Sequence, residues 1–219
     1  MTRESQDKVL RTVENKRDET IDLLERLIRF KTPCPPGQNT LQPQRWMAKQ
    51  LEEMGFKVDM FDVFPGEPDV VGVLKGTGGG RSIILNGHID VAEVRPDEPW
   101  RRDPFEPFVE DGKMYGRGSF DMKGGMAAML MAVATVQEAG YRLKGDVILE
   151  SVIGEEAGEA GTLKCIERGY RADFAIIPEP FGEIVVGQGG CITVWITVKN
   201  PVTLHDGTRV YWLHAGGGM

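Results

Sequence analysis

Apolar positions Leu10, Val13, Ile21, Leu24, Leu27 and Ile28 approximate a helical stripe, and the segment stops at Thr32-Pro33, where proline disfavours helical geometry in the residue before it. A second helix is expected from about Pro43 to Met54, with Gly55 as its C-terminal stop. Three runs of β character follow, Phe56 to Phe64, Asp69 to Leu74 and Ser82 to Asn86, with Gly-rich turns between the last two. The polar, Pro-rich stretch from Ala92 to Lys113 reads as one long loop. Beyond it the pattern predicts a Met- and Ala-rich helix over Met122 to Ala139, a strand over Asp146 to Ile153, a short helix near Thr162 to Arg168 and a strand over Phe174 to Ile177. Strands alternating with helices imply an α/β sandwich, without deciding which strands run antiparallel. From Gly187 onward the pattern changes: Cys191 to Val198 is rich in β-branched residues, then the chain turns through Pro201 and reaches a glycine run. Residues 1–186 are therefore expected to form one domain and 187–219 the start of a second, too short to close a core of its own.

Composition narrows the partners. With 41% hydrophobic residues in 219, the chain can bury a real core. Its 26 Lys plus Arg against 33 Asp plus Glu leave a net charge of -7, with the basic residues scattered singly. Nucleic acid and anionic membranes are accordingly not expected as partners. Cys34, Cys165 and Cys191 are too few and too irregularly spaced for a disulfide framework or a CxxC metal site, which fits a reducing compartment. Charges run through the first thirty residues, so they do not read as a signal peptide. The weakly polar run Gly124 to Val136 falls short of the roughly 20 residues needed to span a bilayer. A cytoplasmic protein is expected.

The candidate chemistry sits at strand ends. Ile83-Ile84-Leu85-Asn86-Gly87-His88-Ile89-Asp90 is an apolar strand that delivers a His and an Asp, and on an extended chain residues two apart point to one side. Asp90 can thereby reach the far nitrogen of His88 and fix its tautomer. Gly116-Arg117-Gly118-Ser119-Phe120-Asp121-Met122-Lys123-Gly124-Gly125 lies where a loop enters a helix, and Asp121 there is either an N-cap or something more tightly placed. Its glycines fit close backbone approach, and a dinucleotide or phosphate loop is a poor alternative because the third glycine of GxGxxG and the GK[ST] ending are both absent. The strand over Asp146 to Ile153 runs into Gly154-Glu155-Glu156-Ala157-Gly158, and the next strand presents Glu179 between two prolines. Ligands at successive strand ends of an α/β sheet converge in one crevice. One imidazole and four carboxylates form a hard N/O donor set suited to Zn²⁺, Co²⁺ or Mn²⁺. Two metals can share it if one carboxylate bridges, provided one Glu stays free as a base.

In this order the motifs around His88 and Asp90, Asp121, Glu155-Glu156 and Glu179 resemble the dinuclear zinc aminoacylase/carboxypeptidase family that includes acetylornithine deacetylase and succinyl-diaminopimelate desuccinylase. The resemblance implies a three-layer α/β sandwich with a mixed central sheet, followed by an α+β lid domain. It implies two zinc ions, or Co or Mn in their place, with His88 and Glu179 on one, Glu156 on the other and Asp121 bridging. Glu155 would be the general base acting on a metal-bridging water, Asp90 would orient His88, and the Asp121–Met122 peptide would be cis. His214 resembles the lid histidine that stabilises the oxyanion, often across a homodimer interface, although the proline usual a few residues later is replaced by Gly217-Gly218; His205 has no counterpart. The implied substrate is an N-acyl amino acid or similar small amide, with the deacetylase/desuccinylase branch favoured. A dipeptidase or carboxypeptidase, a deformylase of a heterocyclic amine and a catalytically silent metal-binding remnant are the alternatives. The family's second metal-binding histidine, which follows the lid, has no match, so the chain is expected to be the N-terminal part, ending inside the lid.

Overall fold

The computed structural model describes residues 2–34, 37–180 and 184–185, and every element below lies within the unit Met1–Pro180. The first helical stripe forms two helices, α1 (Arg3–Asn15) and α2 (Arg17–Arg29), because Lys16 leaves helical geometry at φ -93°, ψ 12°. Its ammonium is engaged by Glu19 at 2.7 Å and by Glu138 at 2.8 Å. Only α2 buries apolar residues fully, Leu27 and Ile28. Then come α3 (Leu41–Glu53), β1 (Lys57–Phe64), β2 (Glu67–Leu74), β3 (Ile83–His88), β4 (Phe108–Glu110), β5 (Lys113–Tyr115), α4 (Lys123–Glu138), β6 (Val147–Val152), α5 (Ala160–Glu167) and β7 (Phe174–Ile176).

The main sheet has the order β1-β2-β6-β3-β7. It is mixed: β1, β2 and β6 pair antiparallel, whereas β3 runs parallel to both β6 and β7. All six residues of β6 are buried, as expected where both faces of a strand are covered. Alternation along the strand sends Val147 and Leu149, with Ile153 beyond its end, into a core shared with Leu27, Met47, Leu51, Met126 and Leu130 of α2, α3 and α4. The opposite face sends Ile148 and Val152 against Val71 and Cys165, the latter on α5. Helices on both faces of the sheet make three layers, the architecture that the resemblance implies.

The segment Ala92 to Lys113 departs from the single loop expected. Its end enters a hairpin, β4 against β5, closed by Asp111-Gly112 with φ of 51° and 73°. Two positive φ values in a two-residue connection match the twist of paired strands, and Asp-Gly is the usual pair for such a turn. The expected strand over Cys191 to Val198, His205, His214 and the expected second domain lie outside the described residues. Among the described residues no helix is long and apolar enough to cross a membrane.

Candidate metal centre

Because β3, β6 and β7 are parallel, their C-terminal ends open on one edge of the sheet. His88 is the last residue of β3, in register with Val152 at the end of β6. Its ring is 1% exposed. Nδ1 lies 2.9 Å from the carbonyl oxygen of Asp90. A carbonyl can only accept, so Nδ1 carries the hydrogen. The other nitrogen, Nε2, faces Asp121 Oδ1 at 3.2 Å, Glu179 Oε1 at 3.4 Å and Glu155 Oε2 at 3.7 Å.

Asp121 does not cap the helix it precedes. The N-cap of α4 is Met122, without a side-chain cap bond, and the Asp121–Met122 peptide is cis. The glycines around it permit close backbone approach. A Cβ on Gly124 would stand 2.5 Å from the Ser119 carbonyl oxygen, and one on Gly125 would stand 2.3 Å from that of Pro178, immediately before Glu179. Helix α4 thus packs closely against both carboxylate-bearing segments.

Glu155 and Glu156 leave the end of β6 in a turn in which Glu155 O accepts from Gly158 N at 2.9 Å. The backbone amide of Glu156 donates to Asp90 Oδ2 at 3.2 Å. Asp90 therefore meets His88 differently from the geometry expected of an extended chain: its carboxylate stands 3.6 Å from Nδ1, and its own carbonyl makes the closer contact. The strand ends at His88, so the alternation that would align residues 88 and 90 has lapsed. One ligand atom each of His88, Asp121 and Glu179 lies within 4.8 Å of the others. Glu156 is outside that group and lines, with Asp121, Trp100 and Arg117, an adjoining pocket.

The electrostatics match a place built for a cation. Burial works against charge on His88, but its bond to Glu179 and the charges of Asp90 and Glu155 prevail and push it up to about 9. Burial, with Glu179, Glu156 and Asp90 nearby, pushes Glu155 up to about 7 against the pull of His88. Burial, then the Asp121 charge, raises Glu156. An unprotonated Nε2 lone pair aimed at carboxylate oxygens is repulsive unless a proton or a metal ion stands between them. The residues present thus fit a divalent metal with nitrogen and oxygen donors.

Two buried ionisable residues beside the site were not singled out as site residues from the sequence. Lys123 is fully buried, donates to Phe30 O at 2.8 Å and is held down at about 7 by burial against the pull of Asp90. Asp69 is also fully buried and accepts from the Ile153 amide at 2.9 Å, which places it directly under the Glu155 turn. An acidic residue opening the apolar run Val70-Val71 was the available signal.

Residues 84–211 match the Peptidase family M20/M25/M40. N-formyl-4-amino-5-aminomethyl-2-methylpyrimidine deformylase of Bacillus subtilis (strain 168) is 54% identical over 94% of this chain and 49% of its own length. The protein of the same name from Halalkalibacterium halodurans is 50% identical, covering 97% and 50%. Succinyl-diaminopimelate desuccinylase of Alkalilimnicola ehrlichii is 33% identical, covering 83% and 50%. The chain thus spans about half the length of the curated relatives it matches. Among solved structures, human carnosine dipeptidase 1 superimposes with a TM-score of 0.69 at 24% identity, covering 78% of this chain and 40% of that one. An M20 family metallo-carboxypeptidase from Sulfolobus solfataricus gives 0.66 at 24%, covering 73% and 37%. Both likenesses concern the fold.

Proposed function

Since this chain belongs to peptidase family M20/M25/M40, we propose that it forms the N-terminal part of a metal-dependent amide hydrolase acting on an N-formylated aminomethyl heterocycle. The observation that carries the chemistry is the His88 imidazole, its Nδ1–H held by a carbonyl and its Nε2 facing three carboxylates. The substrate class rests on the deformylase relatives, at 54% and 50% identity against 33% for the desuccinylase. This moves the preference from the deacetylase/desuccinylase branch to a deformylase.

In this proposal His88, Asp121 and Glu179 hold one divalent ion, zinc by preference, and Asp121 shares a second with Glu156. Bound metal would supply Lewis acidity, polarising the amide oxygen and making water more acidic. Glu155 stands beside the group without being needed as a ligand, its Oε2 3.7 Å from His88 Nε2. It takes the proton of the attacking water and delivers it to the departing nitrogen: the water oxygen bonds the formyl carbon, the C–N bond breaks, and N-formyl amine and water become amine and formic acid, which leaves as formate after losing its own proton to solvent. Asp90 fixes the ring of His88 through its carbonyl and the Glu156 amide through its carboxylate. The remaining parts of the proposal are a lid domain beginning near residue 187, the oxyanion role of His214, a homodimer and a cytoplasmic setting.

The test is a comparison of N-formyl aminomethylpyrimidine, N-succinyl and N-acetyl amino acids and a dipeptide, each with metal supplied and with metal stripped. Metal-dependent formate release faster than any other hydrolysis is expected. Faster cleavage of a succinyl, acetyl or peptidyl substrate would replace the deformylase assignment, and retained metal without any turnover would leave a silent metal-binding remnant.

A further inference from the structure

The pairing of β2 with β6 ends at Val70 opposite Ser151, yet the connection between the two strands continues through a side chain. Asp69 Oδ1 accepts the Ile153 N–H at 2.9 Å, at the point where β6 leaves the sheet to carry Gly154-Glu155-Glu156. The Ile153 carbonyl in turn accepts from Gly161 N at 3.0 Å, and Gly154 O accepts from Ala160 N at 3.3 Å, which ties the same exit to the start of α5. A Cβ at Gly161 would stand 2.6 Å from Asp69 Oδ1 and 2.6 Å from Ile153 O. Gly161 is therefore packed directly onto the contact. One helical turn on, Cys165 Sγ lies 3.7 Å from Asp69 Oδ2. The carboxylate is fully buried, and β2, the exit of β6 and α5 all close on it.

We propose that Asp69 is a positioning residue for the reaction: its carboxylate locks the exit of β6 to the start of α5 and so fixes where Glu155 and Glu156 stand. The proposal rests on the metal-dependent hydrolase reading for the role of those two carboxylates. Between the pinned points, Ile153 on one side and Ala160 and Gly161 on the other, the turn is held by Gly158 and Glu159 amides on Glu155 O and by the Glu156 amide on Asp90. What matters is an acceptor at Oδ1, not charge, so an amide in the same place suffices. Loss of such outlying support costs about 10–100-fold in metal affinity or activity at metal sites.

Three variants of the full chain separate positioning from general stability: Asp69→Asn keeps the acceptor, Asp69→Leu removes it, and Gly161→Ala forces the lock apart from the other side. Amide hydrogen exchange over residues 153–159 is followed together with Co²⁺ titration by visible absorption, and with kcat and KM where turnover is present. Asp69→Leu and Gly161→Ala should speed exchange over 153–159 by about tenfold or more while leaving residues 123–138 as in the parent. They should also weaken the cobalt site that includes Glu156 and lower kcat by about 10–100-fold with KM little changed. Asp69→Asn should match the parent in each. Parent-like exchange over 153–159 in both disruptive variants, or equal disruption by Asp69→Asn, overturns the proposal. If the parent neither binds cobalt nor hydrolyses an amide, the functional reading fails and the exchange comparison alone decides the lock.

Discussion

His88 Nδ1 rests 2.9 Å from the backbone carbonyl oxygen of Asp90, while the carboxylate of that residue stands off at 3.6 Å. The tautomer that leaves Nε2 free is thus imposed by main chain, and of the carboxylate only Oδ2 is engaged, by the Glu156 amide. Replacing Asp90 by Asn should therefore keep the hydrogen on Nδ1 and reduce metal affinity by less than about tenfold, the low end of such effects. Nitrogen-15 chemical shifts of the metal-free His88 ring above about pH 9, where it is neutral, and a separate cobalt titration check the two parts; a switch of the hydrogen to Nε2 would show that the carboxylate governs the ring.

Glu155→Gln should leave metal content unchanged and lower turnover by about 10²–10⁴-fold, the usual contribution of a general base. The side chain is removed only as a proton acceptor, since Glu155 Oε2 stands farther from His88 Nε2, at 3.7 Å, than the Asp121 and Glu179 oxygens at 3.2 and 3.4 Å. Metal analysis of the dialysed variant beside its rate of formate release decides the matter. Loss of metal would place Glu155 among the ligands and make Glu156 the base.

Gly125→Ala should disturb the site from behind. A Cβ there would meet the Pro178 carbonyl oxygen at 2.3 Å and the proline ring at 3.0 Å, and backbone must shift to admit it. Overpacking of this kind costs about 1–3 kcal/mol. Since Glu179 follows Pro178, the shift should also weaken cobalt binding, and urea unfolding together with a metal titration should show both losses. Parent-like stability and affinity would mean that the helix and the Glu179 segment are less tightly seated than this contact implies.

The stability of the metal-free protein should fall as pH rises, partly through Asp69. Burial pushes this carboxyl up to about 7 from an ordinary 3.8. The unfolded chain ionises it near the lower value and the folded chain near the higher, so the folded state holds the extra proton between them. The contribution is complete below the unfolded value and is lost as pH climbs through about 7, at roughly 1.4 kcal/mol per pH unit within the window. His88 and Glu155 are raised as well and add slopes of the same sign, so the comparison with Asp69→Asn isolates the Asp69 share. Unfolding free energies between about pH 5 and about pH 8 should drop less in that variant. Parallel slopes for the two proteins would remove Asp69 from the titrating groups.

Much of this architecture was legible in local pattern. The apolar run Ile83-Ile84-Leu85 ending in His88 could be little other than a strand delivering a polar group, and Met122 to Ala139 became α4 within a residue at either end. The β4–β5 hairpin was missed although Asp111-Gly112 announces it, because three-residue strands carry too little periodicity to stand out in a polar stretch. The division of the first helix at Lys16 had no apolar signature, since the stripe continues across it and only backbone geometry and the ion pairs with Glu19 and Glu138 mark the break.

The residue types and chain order of the candidate metal ligands are legible in the sequence alone, because donor atoms belong to residue types and strand ends are announced by apolar runs. Tertiary structure decided the rest. Which strands are antiparallel, that Asp90 turns its carbonyl and not its carboxylate to His88, and that Asp69 supports Ile153 from 84 residues away all depend on pairings between distant segments. Periodicity reports the environment a residue needs; it does not say which of many compatible segments supplies it. That choice is made by simultaneous packing of both faces of the sheet, where Gly161 and Gly125 admit only the neighbours that the fold brings to them.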